Sequence, residues 1–293
     1  MYLSDFAYFA PKTSGEALNL IGRMGSKAKI LAGGTDLLIM MKEKMLKPEC
    51  LININDVEEF RSISYVPGKG AIIGAAVKIS EIEHSLLIKE KYYALHQAAG
   101  ELGSVQVRTM ATIGGNSCHA SPAAETPPPL AALGASVVIS STAGEKELPL
   151  EKFILGNRKT ALGEGEMLTK FILPEPAPKS ASRYAYIGLR DAMEIDAVNM
   201  AVNLVLEDDS RTIKSIKLVM GSVSPVPLVS VEIPGLLVGR DLNNELLEKA
   251  AQATSGEAKP ISDIRASAEY RREMVAVLTR KVLQQAYNAA SGL

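Results

Sequence analysis

Apolar residues first fall into a clear period after Thr13-Ser14-Gly15-Glu16, a capping-box pattern followed by Ala17, Leu18, Ile21 and Met24 at helical spacing. The run AKILAGGTDLLIMMKEKM then predicts a short strand at Ile30 and Leu31, a glycine turn, and a helix carrying Leu37, Leu38, Met41 and Met45. The strand-like CLININ closes a small βαβ-like unit. Beyond it, the strand GAIIGAAV precedes helical ISEIEHSLLIKEKYYALHQAAGEL, and LAALGA reads as a short helix before the strand SVVIS. Two long alternating strands, DAVNMAVNLVLE and TIKSIKLVMGSV, open the last third, and helices follow over roughly 242–255 and 266–290. Strands and helices mix within each part, so the pattern predicts an α+β fold.

LPEPAPKSASR, residues 173–183, interrupts the apolar patterning with three prolines and two serines, so it reads as an interdomain linker. A weaker break falls near residues 55–60. The expected organisation is 1–176, with subdomains of about 1–55 and 56–176, a linker at 177–183, and a C-terminal domain at 184–293.

Composition narrows the function. The chain has 293 residues, 32 Lys+Arg against 33 Asp+Glu and a formal net charge of -1, without the basic excess of a nucleic-acid binder. Two cysteines, Cys50 and Cys118, are too few to ligate a four-cysteine iron–sulfur cluster, and they exclude a disulfide-stapled scaffold. The opening MYLSDFAYFAPKTSGE lacks the basic and apolar regions of a signal peptide. The longest uncharged stretch, Thr126 to Gly144, carries three consecutive prolines and makes a poor membrane span. A cytoplasmic protein without membrane insertion is expected.

Two glycine pairs are the candidate binding elements. In Ala32-Gly33-Gly34-Thr35-Asp36 the glycines let main-chain amides approach a ligand, and the following helix adds the positive end of its dipole. The same run also fits a plain tight turn with Thr35 or Asp36 as N-cap. In Thr112-Ile113-Gly114-Gly115-Asn116, after Val107-Arg108-Thr109-Met110-Ala111, strand-like sequence is read as giving way to loop, with Asn116, Ser117, His119, Ser121 and Glu125 following. Two such loops suit a long ligand with a phosphate centre and polar arms. Gly68 to Gly74 only echoes a dinucleotide fingerprint: Ile72-Ile73 reads as strand after a hairpin turn at 67–70, and no helix begins there. The three histidines are too scattered for a metal site, and no nucleophile elbow is present. The runs Lys42-Glu43-Lys44 and Arg271-Arg272-Glu273 read as solvated helix faces.

The segments AGGTDLLIMMK, VRTMATIGGNSCHASPAAETPPPLAALGA, RKTALGEGEMLTKFILP, LRDAMEIDAVNMAV, GSVSPVPL and DIRASAEYRREMVAVLTRKVL, in this order, resemble the FAD-binding subunit of molybdenum hydroxylases, which include bacterial xanthine, nicotinate and carbon monoxide dehydrogenases. The resemblance implies a two-subdomain, PCMH-type FAD-binding fold followed by a C-terminal α+β domain like that of carbon monoxide dehydrogenase flavoproteins. It implies an oxidoreductase subunit that holds FAD with Lys29, Ile30, Leu31, Ala32, Gly33, Gly34, Thr35 and Asp36 on one side. Ala111, Thr112, Ile113, Gly114, Gly115 and Asn116 would close the other side. Leu102, Glu125, Met167 and Tyr186 match further cofactor-lining positions. Glu125 stands where the family often has Asp, and Glu194-Ile195 where it often reads Asp-Ile. The molybdenum cofactor and two-iron clusters are expected on partner subunits, a large one and a small one, with NAD(P) or another acceptor taking the electrons. The substrate expected is an N-heterocycle or similar small molecule. A self-sufficient FAD-dependent oxidase and a non-catalytic nucleotide-binding module are the alternatives.

Overall fold

A computed structural model describes residues 3–190 and 193–292. The first unit runs β1 (Ala7–Phe9), α1 (Ser14–Met24), β2 (Ala28–Leu31), α2 (Leu37–Lys42) and β3 (Cys50–Asn53). Its sheet is parallel, in the order β1-β3-β2. Thr13 caps α1 by accepting from the Glu16 amide, as the capping box predicts, and Ala17 and Ile21 on its inner face pack with Cys50, Ile52 and Phe60. The helix α2 ends earlier than the apolar spacing suggests. Lys44 takes a positive φ of 62°, so Met45 leaves the helical face and is exposed.

The second unit contains β4 (Ile63–Val66), β5 (Gly70–Gly74), α3 (Ile79–His84), α4 (Leu86–Lys91), α5 (Tyr93–Glu101), α6 (Val105–Arg108), α7 (Ile113–His119) and α8 (Pro127–Ala132). It continues through β6 (Ser136–Ser141), β7 (Gly144–Pro149), α9 (Leu150–Phe153), β8 (Ile154–Gly156), β9 (Lys159–Thr160) and β10 (Met167–Leu173). Its main sheet is antiparallel in the order β4-β5-β10-β6-β7, and residues 67–69 turn between β4 and β5 as the hairpin reading expects. Ile73, Val137 and Phe171 from the sheet pack with Ile79, Leu95 and Leu130 from the helices. Each such side chain contributes roughly 1.5–3 kcal/mol by leaving water.

The third unit has β11 (Ser180–Ile187), β12 (Val198–Leu206), β13 (Ile213–Gly221), β14 (Leu228–Val229), α10 (Glu232–Leu237), α11 (Asn244–Glu257) and α12 (Ala268–Ser291). Strand β11 already begins inside the proline- and serine-rich stretch. Met200, Val202 and Leu204 of β12 pack with Val275, Leu278 and Val282 of α12, whereas Ala201 and Val219 join the core of the second unit. The sheet is therefore covered on both faces, which is why β12 reads as a nearly continuous apolar run. One sequence reading fails here. Arg271 is not part of a solvated face: it is 4% exposed, bound to the Ala197 and Ser222 carbonyls and to Asp263. Its neighbours Arg272 and Glu273 are exposed as expected.

Candidate functional site

The parallel sheet delivers the first glycine loop. Strand β2 hands the chain to Ala32-Gly33-Gly34-Thr35-Asp36, and the end of β3 braces it: the Ile54 amide donates to the Leu31 carbonyl at 3.0 Å and Asn55 Nδ2 to the Ala32 carbonyl at 2.8 Å. Asn53 Oδ1 accepts from both the backbone amide and Nδ2 of Asn55, fixing the brace. Gly34 has a φ of +73°, the left-handed turn that starts α2. Among the described residues, the amides of Gly33, Gly34, Thr35 and Asp36 donate to no protein acceptor. A row of free main-chain donors is what a phosphate needs.

The second loop differs from its sequence reading. Residues before it are not strand: Val105–Arg108 is a helical turn capped by Ser104, and Ile113–His119 is a second short helix whose first turn contains both glycines. The reason is packing. A Cβ built on Gly114 would lie 2.5 Å from the Ala75 carbonyl oxygen, so only glycine lets this turn sit on the edge of the second sheet. Hydrogen bonds from Ile79 to Ala111, from Ile113 to Val77 and from Gly114 to Ala75 hold it there. Thr112, 1% exposed, caps the turn through Oγ1, which accepts from the Gly115 amide at 3.0 Å. Replacing Thr112 by Ala should cost about 1 kcal/mol in denaturant unfolding. It should also loosen flavin retention, read as the flavin-to-protein absorbance ratio after gel filtration.

The two loops touch. A Cβ on Gly33 would overlap the Met110 carbonyl oxygen and lie 2.7 Å from Ala111 Cα, and His119 Nε2 stands 3.7 Å from Asp36 Oδ1 across the same gap. The structure thus brings together Ala32 to Asp36 with Ala111 to Asn116. Lys29, Ile30 and Leu31 lead in along β2, Lys29 exposed and the other two half-buried. Met167 is 2% exposed and belongs to the core beneath β2 and β3. Leu102 is buried at the end of α5, and Tyr186 is half-buried on β11, opposite Asn199.

Glu125 joins the second loop through Asn116. Asn116 Nδ2 donates to it at 3.4 Å, while Asn116 Oδ1 accepts from the Thr126 hydroxyl at 2.6 Å. Burial, helped by the charge of Asp196, pushes the Glu125 carboxyl up to about 8. Burial also pushes Asp196 up to about 7, against the hydrogen bonds from Asn199 and Tyr184 that favour its charged form. Burial holds the Cys118 thiol up at about 12, which makes it a poor nucleophile. Sequence reasoning missed Asn55, Tyr184, Asp196 and Asn199. Asp196 left a signal: an acid two residues after Glu194, at the head of the apolar run AVNMAV. A cleft of about 860 Å³, lined by Tyr93, Gln97, Arg183 and Asn288, lies away from the glycine loops.

Comparison with known proteins shows the family to which the chain belongs. Residues 4–176 match the family model described as FAD binding domain in molybdopterin dehydrogenase, and residues 183–286 match the CO dehydrogenase flavoprotein C-terminal domain. The chain belongs to this family. It carries an FAD-binding domain and is an FAD subunit of the molybdenum hydroxylase oxidoreductases. It is 31% identical to the glyceraldehyde dehydrogenase medium chain of Sulfolobus acidocaldarius, covering 97% of this chain and 99% of that one. It is 30% identical to the xanthine dehydrogenase FAD-binding subunit of Escherichia coli O157:H7, covering 98% of each. Among solved structures, a chain of carbon monoxide dehydrogenase from Hydrogenophaga pseudoflava superposes with a TM-score of 0.93 at 30% identity, over 99% of both chains. That fold agrees with the α+β, two-subdomain expectation. Among the described residues no helix is long and apolar enough to cross a membrane.

Proposed function

We propose that the chain holds one FAD in the gap between the two glycine loops and relays electrons through it. The observation that carries this reading is the direct contact of the loops at Gly33 and Ala111, beside a row of unpaired amides. Those amides, with the Thr112-capped turn opposite, would take the diphosphate without lysine or arginine. Glu125, Asn116 and Tyr186 would meet the polar arms of the nucleotide at the seam with the third unit, and Leu102 would supply an apolar wall. Met167 is enclosed in the core beneath β2 and β3 and would support the first loop from behind. Bound FAD supplies the exchange of one or two electrons at a time. The chain's own residues bind it, orient it and exclude water.

In the full reading, a large partner subunit with a molybdenum cofactor hydroxylates an N-heterocycle or similar small molecule, and two-iron clusters on a small partner subunit feed electrons to this chain. NAD(P)+ or another acceptor removes them. The names of the relatives support a heteromer, since they are medium chains and FAD-binding subunits. The purified chain should be yellow, release FAD on denaturation, and bleach with NADH or NADPH under anaerobic conditions. A chain that stays colourless after reconstitution with FAD would refute the reading. Turnover of an organic substrate by the isolated chain would replace the relay with a self-sufficient oxidase.

A further inference from the structure

A chain of side-chain amides runs from the edge of the parallel sheet to the first glycine loop. Asn53, the last residue of β3, donates from Nδ2 to the Tyr8 hydroxyl of β1 at 2.6 Å. Its Oδ1 accepts from the Asn55 backbone amide at 3.0 Å and from Asn55 Nδ2 at 2.6 Å. The second hydrogen on Asn55 Nδ2 goes to the Ala32 carbonyl at 2.8 Å. Chemistry fixes the orientation of both side chains. A main-chain N–H can only donate and a main-chain carbonyl can only accept. Asn53 must therefore turn Oδ1 to Asn55, and Asn55 must turn Nδ2 to Ala32.

The Ala32 carbonyl shares its peptide plane with the Gly33 N–H. Among the described residues every peptide bond is trans, and in a trans plane the carbonyl and the N–H point in opposite directions. By gripping the Ala32 carbonyl, Asn55 turns the Gly33 N–H away from the end of β3. Gly33 is confined on another flank as well, where the Met110 carbonyl and Ala111 Cα of the second loop fill the space of a Cβ. Among the described residues that N–H meets no protein acceptor, and neither do the amides of Gly34, Thr35 and Asp36. The neighbouring acid, Asp56, is engaged elsewhere, by Lys12 at 2.6 Å.

We propose that Asn55 is a positioning residue for the cofactor: it sets the direction of the Gly33 N–H, with Asn53 and Tyr8 holding it in place, so that this amide donates to the diphosphate. The inference rests on the FAD reading of the glycine loops. It goes past that reading by assigning the aim of one donor to a side chain whose own hydrogens are all used within the protein. A donor already aimed loses little conformational freedom when the ligand arrives. A peptide freed from Asn55 would swing about its flanking torsions, and the phosphate would lose that donor while the fold stayed intact.

Phosphorus NMR of the flavin-loaded chain tests this. In Asn55→Ala the diphosphate resonances should move toward those of free FAD, and FAD affinity should drop roughly tenfold, the worth of one good hydrogen bond. Tyr8→Phe, two links further out, should change affinity by less than about twofold, because water can replace an exposed hydroxyl. Asn55→Asp keeps the shape but turns carboxylate oxygens onto two acceptors, the Ala32 carbonyl and Asn53 Oδ1. At about pH 8 it should bind FAD more weakly than Asn55→Ala, and it should recover as pH falls and the carboxyl gains a proton to donate. Asp36 and His119 are common to every variant, so the comparison isolates position 55. A flavin-loaded Asn55→Ala with native phosphorus shifts and native affinity would overturn the positioning role and leave the cradle standing. A native chain that binds no flavin would overturn both. Should the variants fail to fold, the nitrogen-15-labelled native chain decides. Its Gly33 amide should shift on FAD binding and couple to a flavin phosphorus, and an amide unmoved by FAD would overturn the role.

Discussion

Gly33→Val should yield a protein that keeps little or no flavin. The argument comes from contact between the two loops rather than from the ligand alone. Any Cβ at this position overlaps the Met110 carbonyl and crowds Ala111 Cα, both backbone atoms that cannot rotate aside. The loops must move apart, and overpacking of this kind costs about 3 kcal/mol. If half of that strain falls on the bound state, FAD affinity drops by roughly tenfold, and by more if the amides of Gly33 to Asp36 lose their common aim. Valine adds branching that no rotamer relieves. The measurements are FAD affinity by fluorescence quenching and stability by urea unfolding. Gly15→Ala is the control: Gly15 lies in α1 with nothing within 4 Å of its Cβ position, so the change should be neutral or slightly stabilising. Equal flavin content in Gly33→Val and native protein would refute the cradle.

Gly34 differs from its neighbour, although the sequence presents the two as one motif. Its φ of +73° asks for glycine through backbone conformation, and the nearest atoms to its Cβ position are the movable ends of Leu31 and Leu38. Periodicity exposed the strand, turn and helix around these glycines because the local signals there are strong. It misread 107–116 because short helical turns hold too few residues to show a period, and Gly114 owes its place to Ala75, far away in sequence. The same limit hid the site's third wall. Tyr184 meets Asp196 and Asn199 only because β11 pairs with β12 in the last unit's sheet, which no local pattern encodes. Arg271-Arg272-Glu273 looks uniformly polar along the chain, yet one residue in the three points inward.

That inward arginine carries the second large effect. Arg271→Ala should destabilise the protein by about 3–5 kcal/mol, the range for removing one partner of a buried charged network. Its guanidinium donates to the Ala197 carbonyl at 2.8 Å, to the Ser222 carbonyl at 3.0 Å and to Asp263 Oδ1 at 2.8 Å. Truncation leaves two buried carbonyls without these donors and removes the cation facing Asp263. Ser222 sits at a φ of +64° and donates its amide to the Pro122 carbonyl, so its displacement would reach the segment that carries Glu125. Flavin retention should therefore fall along with stability. Arg272→Ala, on the exposed side of the same turn, should stay within about 0.5 kcal/mol. Arg271→Lys should recover only part of the loss, since an ammonium cannot span the fork of three acceptors. The acid limb gives an independent check. Although burial opposes it, the Arg265 amide and the Arg271 guanidinium draw the Asp263 carboxyl down to about 2, against about 3.9 in an unfolded chain. A depressed carboxyl stabilises the fold above its unfolded value, and that contribution disappears as pH falls toward its folded one. Stability of the native protein should thus decline between about pH 4 and pH 2 more steeply than that of Arg271→Ala. Urea midpoints measured across that interval would show the difference, and parallel curves would mean that Asp263 draws its low value from the loop amides alone.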